Sequence, residues 1–298
     1  MQRDRSPRSR PSENGWGTNK GDHAEHGGHQ QRTVMESERL VYGRRPVMES
    51  LRSGSHCREL FVVDADGREP PRELADMLSF ASQRHIPTTV VARGALDAMT
   101  RGGVHQGVAA RLAPLEFLEP ADLLNAARAR HEVPLLLALD TVQDPQNVGT
   151  LLRTADIVGA HGTIFPERRS AGLGIGVEKS SAGALAHVPL CQVTNLVRTL
   201  VWLKQQGLWV VGMDDGAPNR YDQIDLTRPV AVVVGGEGDG LRRLVREQCD
   251  ELVHIPMRGH VESLNVGVAG SLMLYEVWRA RGFTGTPGRQ REQKESTR

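Results

Sequence analysis

Three stretches of the 298-residue chain carry residue types able to act on a bound ligand: DTVQDPQNVGTLLRTA (140–155), VVVGGEGDGL (232–241) and IPMRGHVESLNVGVA (255–269). Each sits at or just past the end of an apolar run, and in open parallel sheets ligands bind beyond the carboxyl ends of the strands. In the second stretch the glycines, lacking Cβ, let backbone approach a ligand closely, and the carboxylate of Glu237 stands among them. A phosphate-cradling P-loop is excluded: Gly235 and Gly240 have the GxxxxGK[ST] spacing, but Leu241 and Arg242 stand where Lys and Ser/Thr belong. A dinucleotide fingerprint begun at Gly236 ends on Leu241 instead of glycine, which disfavours a nicotinamide oxidoreductase. Taken alone, the glycines fit a tight strand-to-helix turn equally well. Asn147, Ser263 and Asn265 stand at the starts of helical patterns, where their side chains suit N-terminal capping.

Other chemistries have weaker support. Cys57, Cys191 and Cys249 are far apart, odd in number and without a CxxC pair, which fits reduced thiols in a cytoplasmic protein better than disulfides or a zinc site. His23, His26 and His29 recur at i, i+3, i+6, but inside a polar tract whose composition alone explains them. No metal centre is expected.

The elements that must position the three loops alternate in type. Residues 39–112 read as a small α/β unit: strand ELFVVD, helix PPRELADMLSFASQRH, strands IPTTVV and GVAARL. Residues 113–132 read as a linker with a short helix starting near Pro120. Residues 133–283 alternate again, and PLLLALD and VAVVVGGE, apolar throughout, suit a parallel sheet covered on both faces. Helices are expected at NVGTLLRTADIVGA, SSAGALAHV, NLVRTLVWLKQQG (stopped by Gly207), GLRRLVREQC and SLNVGVAGSLMLYEVWRAR. In the last of these, Leu264, Val268, Leu272 and Tyr275 fall at helical spacing and are expected to face the core. Residues 1–38 and 284–298 are too polar to offset ordering entropy and read as disordered tails. There is no 18-residue apolar run and no hydrophobic core to the N-terminal stretch, so neither a membrane span nor a secretory signal is expected. A net charge of +1 identifies no partner, although Arg44–Arg45, Arg168–Arg169 and Arg242–Arg243 are local basic doublets.

Together and in this order, the three loops resemble the motifs of the SpoU (TrmH-like) family of S-adenosylmethionine-dependent RNA ribose 2′-O-methyltransferases. SSAGALAHVPL (180–190) resembles that family's intervening segment, and VYGRRPVMESL with VHQGVAARL resembles its N-terminal RNA-binding domain. The arrangement is similar to the RlmB-type branch, which methylates a guanosine of 23S rRNA. The resemblance implies an α/β fold whose parallel sheet carries a C-terminal trefoil knot, although chains generally avoid knots. It also implies a homodimer, with Gly267 and Gly270 permitting close packing there. The catalytic set it implies is Arg153, Asn147, Glu237, Ser263 and Asn265, and the residues lining the adenosyl pocket are Gly235, Ile255, Met257 and Leu264. An arginine stays protonated in proteins, so Arg153 suits gripping a phosphate and stabilising a developing alkoxide better than acting as a base. Gly267 departs from the family's pattern, which has serine there. The alternatives are transfer RNA or another ribosomal nucleotide as substrate, or a noncatalytic RNA-binding or ribosome-assembly protein.

Overall fold

The computed structural model describes residues 33–34, 39–52, 57–64, 69–168, 170, 172–261 and 263–285. The N-terminal unit contains β1 (Thr33–Val34), β2 (Arg39–Tyr42), α1 (Arg44–Arg52), β3 (Cys57–Val63), α2 (Arg72–Gln83), β4 (Thr88–Val91), α3 (Arg93–Met99) and β5 (Val108–Leu112). Its four-stranded sheet has the order β2-β5-β3-β4, with β5 antiparallel to both neighbours and β4 parallel to β3. One face packs Leu60, Val62 and Ala110 against Val47 and Leu51 of α1 and Leu74 and Met77 of α2. The other packs Phe61 and Ala109 against Leu96 of α3. The strand β2 and helix α1 were not legible as elements. The turn between them needs Gly43 at φ +94°, and Pro46 lies in the first turn of α1, where a missing N–H costs nothing.

Next come β6 (Glu116–Phe117) and α4 (Pro120–Ala129). Leu123, Leu124 and Ala127 of α4 are buried, so this segment covers one face of the following sheet. Thr33 and Val34 pair antiparallel with Phe117 and Glu116, so a strand lies within the segment read as an N-terminal tail; residues 1–32 and 286–298 lie outside the described residues.

The rest of the chain comprises β7 (Leu135–Asp140), α5 (Pro145–Ile157), β8 (Gly162–Pro166), α6 (Ile175–Ser181), β9 (Leu190–Val193), α7 (Leu196–Gln205), β10 (Trp209–Met213), β11 (Asn219–Arg220), β12 (Val230–Gly235), α8 (Arg243–Arg246), β13 (Glu251–His254) and α9 (Val266–Ala280). The strands form one parallel sheet, in the order β11-β13-β10-β12-β7-β8-β9. The period of two sends Leu135, Leu137 and Leu139 to one face, with Leu151 and Leu152 of α5 and Met273, Leu274 and Val277 of α9. Leu136 and Ala138 go to the other, with α4 and with Leu196, Leu200 and Leu203 of α7. Both faces are therefore covered, as the unbroken apolar runs imply.

Three local expectations need correction. The helix expected at SSAGALAHV begins earlier, at Ile175, and ends at Ser181, capped by Ala182, which is left-handed at φ +50°; only a 3-10 turn, Ala184–Ala186, follows. The helix expected at GLRRLVREQC shrinks to Arg243–Arg246. The apolar stripe expected to face the core points outward: Val268 of α9 is 45% exposed, Leu272 41% and Tyr275 41%, and Leu264, which lies before the helix, 37%. The buried face is instead the one with glycines, because a Cβ on Gly270 would lie 2.4 Å from Leu151 Cδ2 and 3.1 Å from Val234 Cγ2. Gly267 and Gly270 thus serve packing within the chain, pressing α9 onto α5 and β12.

Candidate active site

The strands β7 and β12 run side by side and end together, with Asp140 opposite Gly235. The first two loops therefore leave the sheet as neighbours. Asp140 is fully buried, and Arg242, just past the second loop, holds it from two sides: its backbone N–H donates to Oδ2 (2.8 Å) and its Nε to Oδ1 (2.6 Å). This clamp was not among the sequence candidates; its signal is the one carboxylate closing an otherwise apolar LLLALD. Between the clamped ends the loop turns back on itself, Gly236 N–H donating to Gly240 O (3.2 Å). A Cβ on Gly235 would lie 2.2 Å from Gly240 C, and one on Gly236 2.4 Å from Thr141 O. The glycines serve the loop's own backbone first, and that tight fold is what carries Glu237 outward.

Asn147 is not the cap of α5. Pro145 takes the first helical position and Asp144 is the cap, its carboxylate accepting from Gln146 N–H (3.0 Å). That leaves Asn147 one turn in and buried, with its amide free to bridge loops. Its Nδ2 donates to Glu237 Oε1 (2.5 Å), and its Oδ1 accepts from Asn265 Nδ2 (2.9 Å). Asn265 in turn caps α9, its Oδ1 accepting from Val268 N–H (3.2 Å). One residue from each loop is thus joined in a single hydrogen-bonded chain. Partial burial pushes the Glu237 carboxyl up, but hydrogen bonds from Asn147 and from the N–H groups of Glu237, Gln143 and Asp144 outweigh it and hold its pKa below the ordinary value. The carboxylate is ionised at neutral pH. Farther along, Thr154 Oγ1 and Ser271 Oγ lie 2.8 Å apart and tie α5 to α9, a link the sequence reading missed.

Arg153 and Ser263 are exposed, and among the described residues neither has a hydrogen-bond or ion-pair partner. Arg153 lies six residues beyond Asn147, on the outer face of α5, and does not join the chain through Glu237. Ile255 is half-buried, while Met257 (41%) and Leu264 (37%) are largely exposed. Of the basic doublets, Arg242 is held by Asp140, Arg243 by Glu247 and Arg44 by Glu73; Arg169 lies outside the described residues, as do His23, His26 and His29. Among the described residues no three His, Cys, Asp or Glu are grouped as metal ligands, and no helix is long and apolar enough to cross a membrane.

What the arrangement offers is a pre-tied rim of one ionised carboxylate and two amides with fixed ends; the unpaired Arg153 guanidinium and the exposed Met257 and Leu264 lie on the same loops outside that chain. Comparison with known proteins gives this rim a context. Residues 134–275 match the family described as the SpoU rRNA Methylase family, and residues 40–118 match a domain described as RNA 2′-O ribose methyltransferase substrate binding. YacO of Bacillus subtilis (strain 168), placed in the TrmH family of tRNA/rRNA methyltransferases, is 42% identical over 252 residues, spanning 85% of this chain and 100% of that protein. An uncharacterized tRNA/rRNA methyltransferase of Mycolicibacterium gilvum (strain PYR-GCK) is 43% identical over 242 residues, 81% of this chain and 76% of that one. The SpoU methyltransferase AviRb from Streptomyces viridochromogenes, solved in complex with AdoMet, superposes with a TM-score of 0.66 at 25% identity, covering 83% of this chain and 92% of that chain. The three tied loops all fall within the matched methylase segment, and the chain belongs to the SpoU family as an S-adenosylmethionine-dependent RNA methyltransferase.

Proposed function

We propose that the protein methylates the ribose 2′-OH of a guanosine in 23S rRNA. The observation that carries this reading is the Glu237–Asn147–Asn265 chain, which ties all three loops at one rim and leaves the Arg153 guanidinium without a partner among the described residues. The match of residues 40–118 to a substrate-binding domain of RNA 2′-O ribose methyltransferases supports ribose as the acceptor, and its presence favours ribosomal RNA over the minimal transfer-RNA type.

When bound, S-adenosylmethionine supplies an electrophilic methyl group. The residues suited to hold it are Gly235 and Ile255 through backbone, and Met257 and Leu264, whose exposed apolar surface suits an adenine face. Asn147 and Asn265, their amides fixed at both ends, hold the loops in register, and Glu237 sets that fixation through Asn147. Ser263 offers a hydroxyl at the same rim. Arg153 stays protonated, grips the phosphate beside the target ribose and stabilises the oxygen as its proton is lost. Alignment of this kind lowers a barrier by roughly 7–11 kcal/mol.

The protein acts as a homodimer. The exposed apolar side chains of α9, Val268, Leu272 and Tyr275, with Leu264 just before the helix, favour a second copy as their cover. The C-terminal segment is threaded as a trefoil knot, as its resemblance to the family implies. The site of action is the cytoplasm, where ribosomal RNA is made.

Mapping ribose methylation in ribosomal RNA from cells with and without the gene tests the reading. One guanosine of 23S rRNA should lose its 2′-O-methyl group in the deletion. An unchanged ribosomal pattern with a changed transfer-RNA ribose would overturn it, and no change in either would favour a noncatalytic RNA-binding role.

A further inference from the structure

The helix α6 touches both the N-terminal unit and the start of α5 through three consecutive residues. Glu178 is buried, at 4% exposure, and belongs to neither rim nor core cluster. Its two oxygens are divided between two elements of the N-terminal unit: Arg39 Nη1 of β2 donates to Oε2 (3.1 Å), and Ser50 Oγ of α1 donates to Oε1 (3.1 Å). The next residue, Lys179, places its ammonium 4.0 Å from the centroid of the Tyr42 ring, again on β2. The residue after that turns the other way: Ser180 Oγ donates to Pro145 O (2.7 Å), the first residue of α5 and two before Asn147. There is no slack at this second contact. A Cβ on Gly149 of α5 would lie 1.9 Å from Ser180 Oγ, and one on Gly176 of α6 2.8 Å from Pro145 Cβ. Any rotation of α6 is therefore felt by the turn of α5 that holds Asn147.

We propose that α6 is the coupling element between RNA-binding unit and catalytic rim, and that Glu178 is a positioning residue fixing the orientation in which bound RNA is presented to the site. A carboxylate removed from water needs its partners, so the Arg39–Glu178–Ser50 contact is all-or-none and defines one relative orientation of the two units. Burial also lowers the Arg39 pKa against the pull of Glu178, so its charge is costly to strand without that partner. The inference rests on the proposed RNA methylation for its catalytic arm and on the structure alone for its mechanical arm.

The test uses the full chain and the Glu178→Gln, Arg39→Met and double variants, with ribosomal RNA from a gene-deleted strain as acceptor. The single variants should lower the turnover number at saturating RNA at least tenfold, while the dissociation constants for RNA and for S-adenosylmethionine stay within threefold, because each unit keeps its own binding surface. The double variant should be no worse than the worse single variant, as expected when both remove one shared contact. Hydrogen exchange should rise in α6 and β2 but not in β7 or β12. Should Glu178→Gln not fold, Ser50→Ala removes one of the two partners and should show the same pattern, weakened. Unchanged turnover, additive losses, or a loss that appears only as weaker RNA binding would each overturn the proposal. If the wild-type protein transfers no methyl group to RNA, the proposed function falls, and exchange in α6 and β2 still decides whether the contact acts as a latch.

Discussion

Asn147 has a single amide and uses both ends of it, donating to Glu237 and accepting from Asn265. Replacing it with Asp would aim a second carboxylate at Glu237 and remove that donor. Asn147→Asp should cost about 2 kcal/mol of stability, from one unmade charged hydrogen bond and the repulsion that replaces it, and should lower transfer at least a hundredfold. Urea unfolding and a methyl-transfer assay read the two effects separately. Arg153→Ala, by contrast, breaks no hydrogen bond or ion pair among the described residues, so it should abolish transfer with S-adenosylmethionine affinity and melting temperature unchanged; full activity would remove its role. pH dependence follows the same logic. The Glu237 pKa is depressed, so its tie is present above the ordinary carboxylate range and is lost only as pH falls through that depressed value. His161 behaves oppositely. Leu135 N–H donates to its Nδ1 (3.2 Å), so Nε2–H faces Glu132 (3.0 Å), and burial lowers its pKa. The fold refuses a proton that the unfolded chain accepts near pH 6.5, so stability should fall as pH drops through about 6.5, and the decline should flatten in His161→Gln. At this scale the residue types were legible through the resemblance of three ordered loops to the family's motifs. Their partners were not. Asn147 reads as a cap until Pro145 displaces the helix start and Asp144 takes that role.

The elements divide by how much of their character is local. The strands β7 and β12 are apolar at every core position, so their burial on both faces could be read directly. The outward stripe of α9 could not, because Leu264, Val268, Leu272 and Tyr275 have the same spacing whether they face a core or a partner. The decision is made by Gly270, whose missing Cβ lets the other face close on Leu151 and Val234. The clamp at the second loop is likewise a pairing 102 residues apart, invisible to any local pattern. Cutting it with Arg242→Met would leave Asp140 fully buried without its counter-charge. That should cost about 3 kcal/mol, at the low end for a buried pair because Arg242 is partly solvated, and should weaken S-adenosylmethionine binding as the glycine loop loosens. Calorimetry with and without the methyl donor would show both; an unchanged melting temperature would mean the loop does not depend on the clamp.

Across the whole molecule, the apolar stripe at the rim predicts that association and activity are linked. Leu272→Glu should dissociate the proposed dimer in sedimentation and lower transfer, while leaving the monomer folded, because the position is exposed in the single chain. Cys191 and Cys249, with thiol pKa values raised to about 12 by burial, should resist alkylation at pH 8 in either state, so a faster reaction would report unfolding rather than dissociation.

The sheet matched to a substrate-binding domain closes on itself within residues 39–112, whereas the candidate rim joins side chains 118 residues apart and waits for Asn265. Local topologies fold early and distant pairings late, and chains are synthesised from the N-terminus. On the proposed function, a growing chain acquires its grip on RNA well before it can carry out the reaction, and during that interval it is a binder without chemistry.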